Sequence, residues 1–464
     1  MRTILLSSCV AGITAITHAG VPTYSTFELQ CRSNFGSTFN LPPSTFFTNA
    51  TPAINDSRQV AVQLSVVDAS DVSGVWFGQN GAGSIVYTSP VGAAVSNPTM
   101  SNGGYTVFEQ FFTATDGLFF YNFNVHTTGF ITDQPIGASS WSSPTVNNNG
   151  FIGYRAGFFG DNAYYIWTGL SAVLVAAEVD LVASSPYSFI FTPTFNDADQ
   201  IAAKVRLGNS GQFGESQPDE IRLFNIDGTS TLIETDIDGD AMSPFDSFDN
   251  SVAATTDGRV AFVANLPGNR RAVYLSDGTT RTLIASTASP DLNEIEFFSP
   301  TANDNGLVAF RGVDGNGLQA IFVGDGTTLT RVIGEHDLIP TDLGTGRIDQ
   351  NDNSPVFGGS IRINESGDIA FNCALTPENN DQIEWGSGIY VAQAVTAIPC
   401  PWDCAPNAGN GVVNIDDLLA VINSFGDPGG PCDSAPDNGD GTFGNGMINI
   451  DDLLAVINNF GDCP

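Results

Sequence analysis

The chain is 464 residues long, with 15 Lys and Arg against 50 Asp and Glu and a formal net charge of −35, yet only 14% of its residues are charged and 42% are hydrophobic. That hydrophobic share supports packed cores and excludes a disordered acidic tail, while 50 Gly beside 33 Phe indicate tight turns between apolar strands. The charge repels phosphate backbones and anionic lipid, and with Lys204 as the only lysine no basic patch exists for nucleic acid or a membrane surface; the same field concentrates cations, Ca²⁺ among them.

Residues 1–19 open the chain with one basic residue (Arg2), an apolar stretch from Ile4 to Thr17, and the small-residue end Thr17-His18-Ala19. This is the layout of a cleavable secretory signal, and it predicts a mature chain from Gly20 that is exported. Downstream, the best apolar run, Leu170 to Ala183, is interrupted by Glu178 and Asp180 and is no membrane span. Of seven cysteines, Cys9 leaves with the signal, and an even set remains for an oxidising compartment: Cys31, Cys373, Cys400, Cys404, Cys432 and Cys463. Their positions suggest one long-range bridge and two local ones; a Cys₄ zinc site is the rival for the last four.

A turn written N-x-x-G or a close variant, followed by a short apolar strand, recurs through residues 20–394. It starts at Asn55, Ser101, Asn147, Asn196, Thr255, Asn303 and Asn364, seven copies at intervals of about 46 to 61 residues, as in N-D-N-G-L-V-A-F from Asn303 to Phe310. A second apolar run follows each copy, for example Ala272 to Leu275 and Ala320 to Val323. Several continue through an Asp-Gly turn (Asp277-Gly278, Asp325-Gly326) into a third strand, since Asp-Gly supplies the positive φ of a tight hairpin. The unit is an antiparallel meander, and seven meanders hide their edges when set radially. The expected fold is mainly β: a seven-bladed β-propeller followed by a small α-helical, EF-hand-like domain at 395–464. The last copy lacks a third strand while Thr26 to Arg32 forms an orphan strand ahead of the first, so the N-terminus is expected to complete the final blade. That would set Cys31 beside the strand holding Cys373, and a disulfide between them would lock the ring.

The repeats resemble bacterial secreted proteins built from tandem N-x-x-G-x-x-A-F units with varied C-terminal anchoring modules and, more distantly, TolB-type propellers. The motif residues are turn and core positions, so Asn55, Asn147 and their equivalents are read as turn formers.

In the last segment, Asn414 to Asp427 recurs as Asn449 to Asp462 with one difference, Ser424 for Asn459. Leu418, Leu419, Val421, Ile422 and Phe425, repeated as Leu453, Leu454, Val456, Ile457 and Phe460, form an apolar face with acids in the first turn, predicting two helices packed face to face. The Asn/Asp/Gly-rich loop before each helix matches the second half of an EF-hand-like loop: an oxygen ligand at Asn410 or Asn445, a turn glycine, the carbonyl of Val412 or Met447, Asn414 or Asn449, and a closing Asp417 or Asp452. Two such loop-helix units resemble a type I dockerin module. The resemblance implies a calcium cofactor, with upstream ligands recruited from expanded loops, Asp403 and Asn407 in the first and Asp433 with Asp437 or Asp440 in the second. Cys400 with Cys463 would clasp the module's ends and leave Cys404 for Cys432, although four cysteines allow three connectivities. A dockerin implies a cohesin-like or cell-surface receptor module as partner and an extracellular, polysaccharide-processing setting. The reading is a secreted, non-catalytic binding or display propeller, with polysaccharide as a further partner. The alternative is a propeller glycoside hydrolase or polysaccharide lyase carrying the same tail, whose two carboxylates no sequence motif would reveal. Asp236, Asp238 and Asp240 form either a loop cation site or a solvated acidic turn.

Overall fold

A computed structural model of the protein describes residues 20–34, 36–47, 49–351, 354–395, 400–405, 412–436 and 443–463. The expected signal segment, residues 1–19, and the expected ligands Asn407, Asn410, Asp437 and Asp440 lie outside these residues. Two compact units divide the chain, one ending at Ala394 and one running from Val395 to Pro464.

The first unit is a seven-bladed β-propeller. In the third blade Ser140–Val146, Ile152–Phe158, Asp161–Trp167 and Ala172–Ala177 pair antiparallel in sequence order, and the other blades repeat this meander. The innermost strands touch one another in cyclic order, and that of the seventh blade (Phe357–Ile363) meets that of the first (Ala53–Ile54), so the ring is closed. Each blade packs on both faces, which is why the second strands read as unbroken apolar runs. Val260 to Ala264 and Val308 to Phe310 are buried, and Phe262, Phe310 and Phe371 fill the spaces between neighbouring sheets.

The turn before each second strand is anchored by its first residue. Asn303 accepts the Leu307 amide at Oδ1 (3.1 Å), and Asn364 likewise accepts that of Asp368 (2.8 Å). The fourth position has positive φ, +85° at Gly306 and +89° at Gly367, where glycine meets no steric cost; the first and fourth blades place Arg58 and Asp199 there instead, both at +59°.

The N-terminal strand Thr23–Ser33 is the outer strand of the seventh blade, as expected, and pairs with Gly386–Val395. The expected Cys31 to Cys373 disulfide is absent. Gly386–Val395 lies between their two strands, so at about 4.8 Å per strand the backbones are too far apart to bridge, and the two side chains enter different core clusters. Both are buried free thiols whose acidity burial suppresses.

The second unit contains helices α1 (Ile415–Asn423) and α2 (Ile450–Asn458). Val412–Val413 pairs with Gly461–Asp462, and at the equivalent place Gly426 and Asp427 bond with Ile448, giving the two repeats a matching arrangement. Cys400 is joined to Cys463 and Cys404 to Cys432, with Cα separations of 5.8 and 5.3 Å, which excludes the zinc alternative. The expected face-to-face packing of the whole apolar face needs correction. Only Val421 and Val456 are fully buried, with Leu418 and Leu453 partly so, among Val413, Ile448 and the disulfides; Leu419, Ile422, Phe425 and their counterparts Leu454, Ile457 and Phe460 are exposed. A unit this small has interior volume for only one row of side chains from each helix.

Candidate functional site

The propeller channel and the C-terminal loops hold the candidate sites. Each N-x-x-G turn lies at one end of the channel because each innermost strand ends there. The second residue of each turn points around that rim: Asp56, Asn102, Asn148, Asp197, Thr256, Asp304 and Glu365, together lining a cavity of about 190 Å³. Their side chains cap one another's backbones in rotation. The Asp56 amide donates to Asn102 Oδ1 (2.8 Å), Asn102 to Asn148 (2.6 Å), Asn148 to Asp197 (2.7 Å), Thr256 to Asp304 (2.6 Å), Asp304 to Glu365 (2.9 Å) and Glu365 to Asp56 (2.9 Å). The step left out runs from Asp197 to Thr256, where a short hydroxyl replaces the carboxylate or amide.

Four acids thus share one rim, and their acidity records it. Burial raises the pKa of Asp197, with further elevation from Asp304, Asp56 and Asp199. Burial pushes Glu365 up to about 7, with Asp304, Asp56 and Asp197 adding to the shift against the opposing amide of Asp304. The rim is therefore suited to hold a proton near neutrality or to attract cations. Beyond it the channel widens to about 470 Å³, lined by the innermost strands of all seven blades.

A separate pocket of about 590 Å³ opens between the fourth, fifth and sixth blades. Lys204 donates to the Phe248 carbonyl (2.9 Å) and pairs with Asp219 (2.9 Å), which also takes a two-pronged contact from Arg206. Lys204 lies 4.3 Å from the Phe191 ring centre, and Arg271 lies 4.0 Å from that of the exposed Phe297. Nothing in the local sequence signals this pocket, since its members come from distant segments.

In the second unit, Asp417 and Asp452 are fully buried and committed to main-chain amides: Asp417 accepts from Ala405 and Asn414 (both 2.8 Å), Asp452 from Ser434 (2.6 Å), Ala435 (2.8 Å) and Asn449 (2.7 Å). They close capping boxes with Asn414 and Asn449 and staple each loop's start to its helix. A carboxylate has about four acceptor sites, so each keeps capacity to spare. In the second loop Asp433 accepts the amides of Asn445 (2.9 Å) and Gly446 (2.8 Å), bringing the expected upstream and downstream ligands together across a long insertion. Asn445 Oδ1 and the Met447 carbonyl both converge on the Asn449 side-chain amide, at 3.5 and 3.1 Å. The first loop repeats this at Val412, whose carbonyl accepts from Asn414 (3.0 Å), while Asp403 lies 3.6 Å from Cys463 Sγ. In the second loop two of the expected oxygens, Asn445 Oδ1 and the Met447 carbonyl, thus meet at one group, and carboxylates, amide oxygens and carbonyls are the donor types that an oxygen-seeking cation takes.

Among the described residues, two other clusters could hold a metal. One, Cys400, Asp403 and Cys463, has both sulfurs spent in a disulfide. The other, Glu335, His336 and Asp349, shares Asp349 with Arg347 at 3.2 Å. The Asp236 to Asp240 segment is a capped turn, with Asp236 buried and accepting the amides of Asp219 (3.0 Å) and Gly239 (3.1 Å).

The chain matches a family described as being of unknown function (DUF7453) over residues 227–398, the last part of the propeller. No curated protein matches. Among solved structures it is similar to the WD40 repeats of RRP9 (10% identity, TM-score 0.43, covering 81% of this chain and 99% of that one). It is also similar to TolB from Acinetobacter baumannii (13%, 0.38, 61% and 62%) and to an acylaminoacyl peptidase from Pyrococcus horikoshii (12%, 0.45, 73% and 52%), so it spans about half of that peptidase.

Proposed function

We propose that the protein is a secreted, non-catalytic binding platform whose propeller presents a ligand surface and whose C-terminal unit is a calcium-dependent, dockerin-like docking module. One observation carries this reading. Two nearly identical helices pack through Val421 and Val456 and leave matching apolar stripes on the outside, Ile415, Leu419, Ile422 and Phe425 on one and Ile450, Leu454, Ile457 and Phe460 on the other. Eight large apolar side chains displayed by so small a unit are what a receptor surface would cover, such as a cohesin-like or cell-surface module. Calcium in the second loop would be held by Asp433, Asn445, the Met447 carbonyl and Asn449, and in the first by Asp403, the Val412 carbonyl and Asn414. Asn407 and Asn410 would complete the first shell and Asp437 or Asp440 the second, with the spare acceptor sites of Asp417 and Asp452. Bound calcium would supply charge compensation that fixes each loop against its helix, coupling docking to the ion. Polysaccharide is the proposed ligand class of the propeller.

Calorimetric titration of the full-length chain with Ca²⁺ after chelation is expected to show two binding events, reduced to one by Asp433→Ala. No heat of binding in the unmodified chain would remove the calcium-dependent module. Turnover in a polysaccharide hydrolysis screen would replace the platform with an enzyme.

A further inference from the structure

The innermost strands share a pattern that the N-x-x-G turns conceal. Two residues before each turn, six blades place a small side chain: Ala53, Thr99, Thr145, Thr194, Ala253 and Thr301. The seventh places Arg362. The equivalence is structural as well as sequential, because each of these residues pairs with the corresponding position of its second strand, Thr301 with Ala309, Thr194 with Ala202 and Arg362 with Ala370. A guanidinium therefore enters the channel where every other blade supplies a methyl or a hydroxyl.

Among the described residues this cation has no counter-charge: no carboxylate oxygen lies within 4 Å of it, whereas most cations of this acidic chain have such a partner. Its hydrogen bond to protein goes to the Ile361 carbonyl (3.0 Å), leaving most of its five N–H donors to the channel. Burial lowers its pKa, and no charged neighbour offsets that effect. On either side of its strand, Thr51 accepts the Ser360 amide at Oγ1 (2.9 Å) and Thr301 accepts the Ile363 amide (3.3 Å). Both threonines are more than nine-tenths buried and line the same 470 Å³ cavity, with their hydroxyl protons uncommitted among the described residues. A planar cation and two hydroxyl donors in a confined polar space form a receptor for an oxyanion, which a guanidinium engages through paired hydrogen bonds.

We propose that the channel binds a small oxyanion at Arg362, the ligand group being a carboxylate, a sulfate or a phosphate. The acidic rim guards one end, so the anion enters by the other, where at physiological salt the rim's field is screened beyond about 8 Å. The test is the unfolding midpoint of the full-length chain in sodium sulfate, sodium phosphate and sodium glucuronate, against sodium chloride at matched ionic strength. At least one of the three should raise the midpoint saturably in the unmodified chain. Arg362→Thr, which restores the residue of the other blades, should abolish that saturable shift, leaving only the linear rise that excluded salts give any protein. Whichever anion responds identifies the source of the group. Equal responses in the unmodified chain and in Arg362→Thr, or no saturable response to any of the three, would overturn the proposal.

Discussion

Glu365 meets the water of the channel yet has three carboxylates for neighbours, and burial and repulsion together push its pKa up to about 7. A carboxylate with a raised folded-state pKa binds a proton more tightly when folded than when unfolded. Its contribution to stability is therefore most favourable at low pH and declines as pH rises from about 4.5 to about 7. Glu365→Gln removes the titration but keeps an oxygen to accept the Asp304 amide. The variant should be more stable than the parent at pH 8 and indistinguishable from it at pH 4, as read from urea midpoints at both pH values; parallel profiles would show that the rim does not couple these acids. The sequence revealed the turns on which this rim is built but not the rim itself. Asn303 and Asn364 were legible as turn formers because asparagine bonds its own backbone, whereas their other role was not: each side-chain amide also donates to the next blade, Asn303 to the Asn364 carbonyl (3.0 Å) and Asn364 to that of Asn55 (3.1 Å). That clasp depends on ring closure, which no local pattern encodes. Arg362 was hidden for a different reason: an arginine in a strand reads as solvent-facing until its six counterparts in the other repeats are aligned with it.

The two helices show how far periodicity reaches at the scale of an element. The apolar spacing correctly identified α1 and α2, and the first-turn acids and asparagine caps are in place. Periodicity gives the width of an apolar face but not the part of it that meets the core, and here Val456 turns inward while its neighbour Ile457 turns outward. The division yields a direct comparison. Ile457→Lys should change stability by no more than about 0.5 kcal/mol, as exposed substitutions usually do. Val456→Ala should cost about 1 to 3 kcal/mol from lost burial alone. Chemical denaturation of both variants checks this, and a reversed order would mean that the outer stripe is the true packing face. If Ile457→Lys leaves the fold intact, any loss of partner binding in that variant belongs to the surface.

Ring closure is a property of the whole propeller, and here it rests on a strand rather than a covalent bond. A propeller whose first and last strands belong to one sheet must hold its N-terminus against fraying, and the buried thiols Cys31 and Cys373 do not provide that hold. Arg32 does. Its fully buried guanidinium makes a two-pronged contact with Asp342 (2.7 and 2.8 Å) and donates to the carbonyls of Trp385 (2.6 Å) and Ser37 (3.0 Å), tying the N-terminal strand to the turn between Leu338–Thr341 and Gly344–Ile348 and to the residue just ahead of Gly386–Val395, all in the seventh blade. Removing this buried guanidinium leaves Asp342, which lies in an exposed turn, to the solvent but strips the Trp385 and Ser37 carbonyls of their donor, which costs about 1 to 3 kcal/mol. Arg32→Ala should accordingly lower the propeller's unfolding free energy by that amount in urea. Reductant should leave the same transition unmoved, because both disulfides lie in the C-terminal unit. The opposite pattern, a propeller sensitive to reductant and indifferent to Arg32→Ala, would mean that a covalent lock closes the ring after all.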